Sequence, residues 1–459
     1  MKASWAGIIL AAGKGVRMRS SLPKPMHPVC GAPMLRHVAT AMRQAQIDRL
    51  VAVVSPSLAL SEDVRRAAGD GASIAVQREQ RGTADAVKAA SAAVAGAAHI
   101  VVGAGDMPLV SADTVRRLMT CHTTQHAVVT LLTATGSPTA RLGRVVRDER
   151  GAPVAVVEEA DADEKTLAIQ EINTSWYCFD AAWLWDALGR VKPSRSGELY
   201  LTDLVAIAAA EGRVTASVSV EEPVEALGVN DRVQLAAAEQ AMRQRIAAHW
   251  MREGVTLIDP SATYIGADVV IGSDTVLHPG THLRGATVIG AACEIGPDSV
   301  ITASQVGDGA RVIASHVDGA VIGAGVSVGP FSRLRPGTKV VSGAYIGNFA
   351  EIKNSTVGAG THVGHFSYVG DTDLGRNVNI GAGTVTCNFD GKDKHRTEIG
   401  DGAFIGSDTM LIAPIKIGEG ARTGAGSVVN RDVPPGEGVA GVPARRLPKK
   451  IEQVSEKER

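Results

Sequence analysis

The 459-residue chain lacks an excess of charge of either sign, because 47 Lys and Arg residues oppose 48 Asp and Glu residues and leave a formal net charge of −1. Without a basic field or a polybasic cluster, the composition argues against a nucleic-acid partner and against anchoring to a membrane surface. We therefore expect the partners to be small molecules and further copies of the chain itself.

Paired cysteines and long apolar runs are also missing. The five cysteines are scattered without a CxxC pair, which favours reduced thiols in a reducing compartment. The longest stretch free of formal charge, 89–105, is rich in Ala and Gly and falls short of the ~20 strongly apolar residues that a membrane span needs. No basic segment with a cleavage site precedes the apolar run at 6–10, so we expect a soluble, cytoplasmic enzyme.

The length predicts at least two domains, because a single hydrophobic core stops growing at about 250–300 residues. Residues 1–230 alternate apolar β-like runs with amphipathic segments, which is typical of a mostly parallel α/β sheet. Residues 231–254 are predicted to form a connecting helix, and the charged residues 448–459 a frayed tail. The predicted strands are 8–10, 50–54, 99–102 and 128–132, and helical spacing marks 33–46 and 84–94.

An internal repeat of six residues occupies 255–447, and it predicts a parallel β-helix. Six residues match one face of a triangular coil, so three units make a turn and the aliphatic side chains stack inward as a ladder. An α-helix would need a period of 3.6 and collagen a Gly at every third position, so neither fits. The phase slips after 301, resumes from 322, and is interrupted again at 386–398. The first seven ladder positions are Ile265, Ile271, Leu277, Leu283, Ile289, Ile295 and Ile301.

A glycine loop, 10–18, follows the first predicted strand. Such a loop lets backbone N–H groups approach phosphate oxygens, although a plain strand-to-helix turn has the same local pattern. It is not a dinucleotide fingerprint, because Met18 stands at the third Gly position, and it is not a Walker loop, because no Gly-Lys-Ser/Thr closes it. Further motifs follow it in the order Lys24 within 22–25, Gln77, Gly82 and Thr83, Gly105 and Asp106, Glu158, Asn173 and Asn230.

In order and spacing these motifs resemble the uridylyltransferase half of the bifunctional GlmU family. The resemblance implies a Rossmann-like α/β fold of the GT-A type for 1–230, in which a sugar phosphate attacks the α-phosphorus of UTP. That reaction needs charge neutralisation and in-line geometry rather than a protein nucleophile. The implied roles are phosphate contacts for Arg17 and Lys24; Mg²⁺ ligation by Asp106 and Asn230; nucleotide contacts for Leu10, Ala11, Ala12, Gly13 and Gly105; uracil contacts for Gln77, Gly82 and Thr83; and sugar contacts for Gly143, Glu158 and Asn173.

Two of these residues have ordinary structural alternatives. Asp106 could be a turn former, and Asn230 could cap the connecting helix. Ala104 and Leu142 depart from the family pattern, because relatives often carry Tyr there. These departures bear on base or sugar packing and not on the metal site.

Four stretches of the repeat, 333–337, 348–354, 364–368 and 377–383, are more polar than a purely structural coil requires. They resemble the glucosamine-1-phosphate acetyltransferase half of the same family, which implies a left-handed β-helix that usually forms a homotrimer. Acetyl transfer to an amine needs a base, donors for the oxyanion and a groove for the thioester. The implied roles are general base for His365; orientation of that base by Glu351; sugar-phosphate binding by Arg335 and Lys353; sugar contacts for Tyr368 and Asn379; and acetyl-CoA binding by the backbone of Ala382, Ser407 and Ala425.

His365 could instead be a surface residue at a coil corner. The insertion at 386–398 is predicted to be a functional loop, and the resemblance implies that its Asn388 and Phe389 reach the acetyl-CoA groove of a neighbouring subunit. Phe389 replaces the more usual Tyr. Val442 stands where some relatives have an Arg for the cofactor phosphates, so Arg445 and Arg446 are the candidates to replace that contact.

Together these features predict a Mg²⁺-dependent bifunctional enzyme that makes UDP-N-acetylglucosamine, a precursor of peptidoglycan and lipopolysaccharide. One alternative is a single-activity sugar-phosphate nucleotidyltransferase whose β-helix only assembles the oligomer, which His365, Lys353 and Tyr368 disfavour. The other is a scaffold or binding protein with inactive sites. A scaffold would not need the cations and oxygen ligands near the glycine loop.

Overall fold

The computed structural model describes residues 4–136, 142–195 and 197–447. The chain divides into two units, Met1–Met242 and Arg243–Arg459, and the division falls inside the helix Arg232–Arg252. The tail predicted at 448–459 lies outside the described residues. In the part of the chain that is described, no helix combines the length and apolar character that a membrane crossing requires.

A mixed β-sheet forms the centre of the N-terminal unit. Its strands are β1 (Trp5–Leu10), β2 (Arg49–Val54), β3 (Ser73–Val76), β4 (His99–Ala104), β5 (Val129–Thr135), β6 (Arg144–Arg147), β7 (Pro153–Val157), β8 (Glu171–Asp180) and β9 (Thr215–Ser219). Their order is β9–β5–β8–β4–β1–β2–β3, with β6 pairing β8 and β7 pairing β6. The central strand β1 is parallel to both neighbours, whereas β8 is antiparallel to β4 and β5. All four strands predicted from apolar runs are present.

Both faces of this sheet are covered, which is why its strands are apolar without alternation. Ile8 packs into the core on one side of the sheet and its neighbour Ile9 into the core on the other side. The helices predicted at 33–46, 84–94 and 231–254 are present, and the second of them ends early, at Ala89. The helices are α1 (Met34–Gln44), α2 (Glu62–Ala68), α3 (Thr83–Ala89), α4 (Ala112–Thr124), α5 (Glu164–Leu167), α6 (Ala181–Ala187), α7 (Asp203–Ala210) and α8 (Arg232–Arg252).

The C-terminal unit is a coil of short parallel strands that returns to three faces in turn, as the six-residue repeat predicts. Successive strands on a face lie one turn apart and pair in parallel, as when Val276 pairs with Glu294 and Glu294 pairs with Arg311. The exception is the last strand, Arg445–Arg446, which forms an antiparallel hairpin with Gly438–Ala440. The first face contains Thr256–Leu257, Val276–Leu277, Glu294–Ile295, Arg311–Val312, Ser327–Val328, Tyr345–Asn348, His362–His365, Asn379–Ile380, Phe404–Ile405, Arg422–Thr423, Gly438–Ala440 and Arg445–Arg446. The second contains Tyr264–Ile265, His282–Arg284, Val300–Thr302, His316–Asp318, Arg333–Leu334, Glu351–Lys353, Tyr368–Gly370, Val385–Cys387, Met410–Ile412 and Val428–Val429. The third contains Val270–Ile271, Val288–Ile289, Gln305–Val306, Val321–Ile322, Lys339–Val340, Thr356–Val357, Thr372–Leu374, Thr397–Ile399 and Ile415–Ile417.

The predicted aliphatic ladder is the core of this coil. All seven of its first positions, from Ile265 to Ile301, are at most 4% exposed. Burying one such side chain contributes ~1.5–3 kcal/mol, so a stack of them stabilises a fold whose strands are only a few residues long.

The coil does not break where the six-residue phase slips. Between Ile301 and Ile322 the ladder continues through Val306, Val312 and Val317, each at most 3% exposed. Three of the four steps between these positions are five residues long, because the corner is shorter by one residue. The ladder side chains still point inward. The coil therefore continues through this segment even though the spacing is no longer six residues.

Candidate functional sites

The glycine loop leaves the carboxyl end of β1, the edge of a parallel sheet at which ligands commonly bind. It leads into a single 3-10 turn, Val16–Met18, and not directly into an α-helix. Gly15 has a φ of +59°, and a Cβ at this position would lie 2.7 Å from the Cβ of Lys24. The absence of a side chain at Gly15 therefore allows the stem of Lys24 to cross the loop.

A cavity of about 570 Å³ opens beside this loop. The predicted nucleotide and sugar residues that line it are Leu10, Ala11, Ala12, Gly13, Lys24, Gln77, Gly82, Thr83, Gly105, Asp106 and Glu158. Arg17, Gly143, Asn173 and Asn230 are not among the lining residues. Asn230, Asn173 and Gly143 each contact one that is, namely Lys24, Tyr177 and Glu158, whereas Arg17 contacts Asn230.

Two cations and two oxygen-bearing side chains converge where the glycine loop borders the cavity. The ammonium group of Lys24 contacts the Asp106 carboxylate and also donates to Asn230 Oδ1 at 2.8 Å. Arg17 Nη2 donates to the same Asn230 oxygen at 2.9 Å. The side chains of Lys24 and Asp106 are only 14% and 27% exposed, so solvent screens this cluster weakly.

Asn230 is not the cap of α8, which was its structural alternative. Asp231 caps that helix, because its side chain accepts from the backbone N–H of Gln234 at 2.8 Å. Gln234 in turn accepts from the backbone N–H of Asn230 at 2.7 Å, and Val229 N–H donates to Asp106 O at 2.9 Å. These bonds hold the segment that carries Asn230 against the segment that carries Asp106, with the Asn230 side chain directed at the two cations.

Of the three predicted sugar residues, only Glu158 lines the cavity, and hydrogen bonds hold the other two behind its wall. Asn173 N–H donates to Gly143 O at 2.9 Å, and Asn173 Nδ2 donates to Tyr177 Oη at 2.6 Å. Glu158 accepts from Thr202 Oγ1 at 3.1 Å. Burial raises the pKa of Glu158; the bond from Thr202 opposes the shift, and the nearby charge of Asp203 adds to it.

Gly82 and Gln77 meet at the predicted base end. Gly82 has a φ of +123°, and a Cβ there would lie 2.4 Å from the backbone oxygen of Leu199, so this position requires glycine. Gln77 is buried and donates from Nε2 to Gly82 O at 2.9 Å. Thr83 Oγ1 accepts from the backbone N–H of Leu201 at 2.9 Å.

The predicted residues of the β-helix gather around the corner between the first and second faces. His365, at the end of a first-face strand, pairs in register with Asn348 one turn earlier. Ala382, Ser407 and Ala425 occupy the same corner on the following turns, where Asp408 N–H donates to Ala382 O and Gly426 N–H to Ser407 O. His365 and the three predicted acetyl-CoA residues thus form one column, with Asn379 on the adjoining first face.

Two cationic residues predicted to bind a sugar phosphate project from the second face. Arg335 Nη1 donates to Glu351 Oε1 at 2.8 Å, and Glu351 pairs in register with Tyr368. Lys353 lies near Asp371, whose carboxylate accepts from Asn354 Nδ2 at 2.6 Å. Burial would raise the pKa of Asp371, but its hydrogen bonds and the nearby lysine charges outweigh burial and lower that pKa.

The described residues show no hydrogen bond between Glu351 and His365, although the resemblance implies that Glu351 orients this base. The structure joins Glu351 to Arg335, and His365 Nδ1 lies 2.9 Å from Asn348 Oδ1. The reason is that Glu351 projects from the second face and His365 from the first. Asn348 precedes His365 by 17 residues, which is one turn of this coil, and that spacing could have identified it from the sequence.

The insertion folds back onto its own chain. Asn388 is 7% exposed and donates to Asp371, while Phe389 is 58% exposed. Within the loop, His395 Nε2 lies 2.7 Å from Asp390 Oδ2. The loop therefore presents its phenylalanine to the surroundings and its asparagine to the body of the β-helix.

Comparisons with known sequences match both halves of the chain. A profile of the MobA-like NTP transferase domain matches residues 7–253, and the bacterial transferase hexapeptide (six repeats) matches 268–303 and 396–431. Proteins named Bifunctional protein GlmU are 46% identical over 431 residues in Desulfitobacterium hafniense (94% of each chain) and 46% over 441 residues in Mycolicibacterium gilvum (94% of this chain, 88% of that one). The protein of that name from Carboxydothermus hydrogenoformans is 46% identical over 429 residues, 93% of this chain and 95% of that one.

The chain belongs to the GlmU family. As a GlmU-family member it is a transferase with a nucleotidyltransferase half and an acetyltransferase half. The fold predictions are confirmed: a Rossmann-like α/β nucleotidyltransferase domain precedes a left-handed β-helix of hexapeptide repeats.

The structure also locates the other three departures from the GlmU pattern, besides Phe389. Ala104 lines the cavity, whereas Leu142 is half-buried and its carbonyl accepts from Arg144. Val442 is 71% exposed at the turn before the last hairpin strand. Of the two arginines that follow, Arg446 pairs with Glu437 at 2.5 Å, and Arg445 donates to the carbonyl of Ala444.

Sequence reasoning missed several residues of both GlmU-type sites. The additional residues lining the cavity are Lys14, Pro25, Gln80, Ala86, Ser175, Tyr177, Glu198, Tyr200, Leu201 and Thr202. Tyr177 follows Asn173 on β8 and could have been noticed from that spacing. Tyr200 and Thr202 carry no motif of their own, and only the fold brings their segment across the cavity.

Proposed function

We propose that the chain makes UDP-N-acetylglucosamine in two steps. The β-helix transfers an acetyl group from acetyl-CoA to glucosamine-1-phosphate, and the N-terminal unit then transfers a uridylyl group from UTP to N-acetylglucosamine-1-phosphate. The observation that carries the proposal is that one chain assembles two separate polar sites. One is the cation and oxygen cluster beside a 570 Å³ cavity, and the other is the His365 column of the β-helix.

The uridylyl step forms a bond from the sugar-phosphate oxygen to the α-phosphorus of UTP and breaks the bond to the pyrophosphate that leaves. Both reactants are polyanions, so their approach is opposed by charge repulsion. Arg17 and Lys24 are placed to offset that repulsion, while Gln77, Gly82 and Thr83 hold the uracil. Gly143, Glu158 and Asn173 hold the sugar, which fixes the attacking oxygen in line with the leaving group.

Asp106 and Asn230 would hold Mg²⁺ at this site. The donor set fits that ion, because a carboxylate oxygen and an amide oxygen already converge on the Lys24 ammonium group, and Mg²⁺ prefers hard oxygen ligands. The described residues contain no group of three or more His, Cys, Asp or Glu side chains arranged for a metal, so the remaining positions would fall to water and phosphate oxygens. The bound ion would neutralise charge on the transferring phosphate.

The acetyl step forms an amide N–C bond and breaks the thioester C–S bond of acetyl-CoA. The amine must lose a proton and the departing sulfur must gain one. Asn348 presents its side-chain oxygen to His365 Nδ1, so Nδ1 carries the hydrogen and Nε2 keeps the lone pair that accepts the amine proton. Arg335 and Lys353 bind the phosphate of the sugar, and Tyr368 and Asn379 contact its ring.

Acetyl-CoA is assigned to the corner column of Ala382, Ser407 and Ala425, where Ser407 and Ala425 are exposed and Ala382 is half-buried. We further propose that the chain functions as a homotrimer in the cytoplasm, where both co-substrates are made. In the trimer, Asn388 and Phe389 of one copy would border the groove of the next. The exposure of Phe389 favours this arrangement.

The two activities are tested separately in one assay with glucosamine-1-phosphate, acetyl-CoA, UTP and Mg²⁺. Free thiol reports the acetyl step and pyrophosphate reports the uridylyl step. We expect His365→Ala to abolish thiol release while N-acetylglucosamine-1-phosphate, when supplied, is still uridylylated. We expect Asp106→Ala to show the opposite loss.

Matched controls are available close to both sites. His362 lies on the same strand as His365 and is packed against Tyr345, and Asp113 lies on the surface of α4. His362→Ala and Asp113→Ala should leave both signals nearly unchanged. If the parent releases pyrophosphate but no thiol, the β-helix is an assembly module and the enzyme is a nucleotidyltransferase alone.

A further inference from the structure

We propose that Asp85 is a positioning residue that makes the nucleotide site select uracil over cytosine, through its hold on the side-chain amide of Gln77. The inference rests on the proposed uridylyltransferase activity and goes beyond it. Asp85 would not touch the nucleotide. It would determine which end of the Gln77 amide the nucleotide meets.

The geometry is a fork of two acceptors around one donor group. Gln77 Nε2 lies 2.9 Å from the backbone oxygen of Gly82 and 3.0 Å from Asp85 Oδ2. Gln77 is 4% exposed and Asp85 is half-buried in the first turn of α3, so the amide is buried while the carboxylate is only partly shielded from water. Both side chains are anchored on regular structure, since Gln77 directly follows β3 and its N–H donates to Val54 O.

This arrangement fixes the orientation of the amide. A glutamine side chain carries a donor NH₂ group and an acceptor oxygen of nearly the same shape, so its orientation follows from its partners. A carbonyl oxygen and a carboxylate oxygen are both acceptors. Rotating the amide by half a turn would place Gln77 Oε1 against both the Gly82 carbonyl and the Asp85 carboxylate. Three acceptors would then meet without a donor between them, which is unfavourable in a buried position.

The remaining group that Gln77 offers is therefore the acceptor Oε1. No described residue donates to it, and Gln77 lines the cavity beside Gly82. A nucleotide base bound beside Gln77 would therefore face Oε1, which can accept a hydrogen bond from an N–H group of the base. Uracil has N–H at N3, whereas cytosine has an unprotonated nitrogen at that atom, so in the same pose cytosine would place two acceptors together.

The test compares kcat/KM for UTP and CTP with N-acetylglucosamine-1-phosphate, with pyrophosphate release as the signal. In Asp85→Ala one of the two acceptors is removed, and we expect the UTP-to-CTP ratio to fall about tenfold, as one charge-assisted hydrogen bond would predict. Asp85→Asn keeps an oxygen that accepts from Gln77, so its ratio should remain within about threefold of the parent. Ser91→Ala, at an exposed position just after the same helix, is the control for a substitution in this segment.

An unchanged ratio in Asp85→Ala, or an equal loss of kcat/KM for both nucleotides, would refute the proposal, because a merely structural role moves both substrates together. Thiol release by the β-helix checks that each variant remains assembled. If Asp85→Ala is unstable, Asp85→Leu keeps the branched side-chain shape without an acceptor and tests the same bond. A parent enzyme that releases no pyrophosphate from UTP would instead refute the proposed function itself.

Discussion

The buried imidazole of His122 should make the N-terminal unit lose stability in mild acid. His122 lies on α4, is 1% exposed, and shares a 2.9 Å hydrogen bond between its Nδ1 and Thr130 Oγ1. Its Nε2 is buried without a hydrogen-bond partner in the described structure. The ring lies edge-on to His99 at 5.1 Å and to Trp5 at 5.9 Å. Burial first, and then the nearby charge of His99, lowers the pKa of His122 to about 4 from its ordinary 6.5, and Asp180 opposes the shift only in part.

The sign follows from where each state binds its proton. The unfolded imidazole titrates near 6.5 and the folded one near 4, so between these values the unfolded state holds more protons and the free energy of unfolding rises with pH. The contribution of neutral His122 to the free energy of unfolding is fully present above the unfolded pKa and is lost as pH falls toward the folded pKa. At about 1.4 kcal/mol per pKa unit it amounts to ~3 kcal/mol in total, of which ~2 kcal/mol is lost by about pH 5.

The assay is urea unfolding followed by tryptophan fluorescence at about pH 8 and about pH 5, comparing the parent with His122→Gln. Four of the five tryptophans lie in residues 1–242, so the signal reports mainly that unit. Glutamine can still form a hydrogen bond with Thr130 but does not titrate. The free energy of unfolding of His122→Gln should therefore fall between about pH 8 and about pH 5 by ~2 kcal/mol less than that of the parent. His126→Gln, at an exposed position, is the control. Equal losses in the parent and in His122→Gln would refute the reasoning.

Further predictions concern both units. Ile295→Ala, at a fully buried ladder position, should lower the free energy of unfolding of the β-helix by about 2–5 kcal/mol, measured by far-UV circular dichroism, whereas Val288→Ala, at an exposed position on the third face, should change it little. Asn348→Ala should lower thiol release about tenfold, because His365 Nδ1 would lose the side-chain oxygen that orients its ring; an unchanged rate would show that Asn348 does not position the base. Gly15→Ala should reduce pyrophosphate release about tenfold or more without affecting thiol release, because the added methyl group would displace Lys24; a parent-like rate would show that the loop adjusts.

Much of the fold could be predicted from local patterns. The six-residue period places one aliphatic side chain inward on each face, and burial of that side chain is what makes short strands stack. The apolar runs at 8–10 and 50–54 likewise indicate strands covered on both sides. A strict six-residue count does not detect a turn whose corner is one residue shorter. The inward direction of the aliphatic side chain is set by the neighbouring turns of the coil and not by the number of residues between ladder positions.

The candidate sites were only partly predictable. Asp106 and Asn230 were expected near two cations. Only the folded chain shows that Asp231 is the N-cap of α8, so that the side chain of Asn230 accepts from Arg17 and Lys24 instead. Such choices depend on which of two neighbouring side chains points inward, and that is decided by packing.

What the sequence determined by itself is therefore the class of each half, the ladder and the set of polar residues, because these depend on periodicity and on motifs read along the chain. The tertiary structure alone decided which polar side chains meet. It brought His365 to Asn348 and not to Glu351. It also placed the Gly82 carbonyl and the Asp85 carboxylate so that both accept from the side-chain amide of Gln77. The physical reason is that a hydrogen bond acts over about 3 Å, and only the path of the whole chain brings such atoms within that distance.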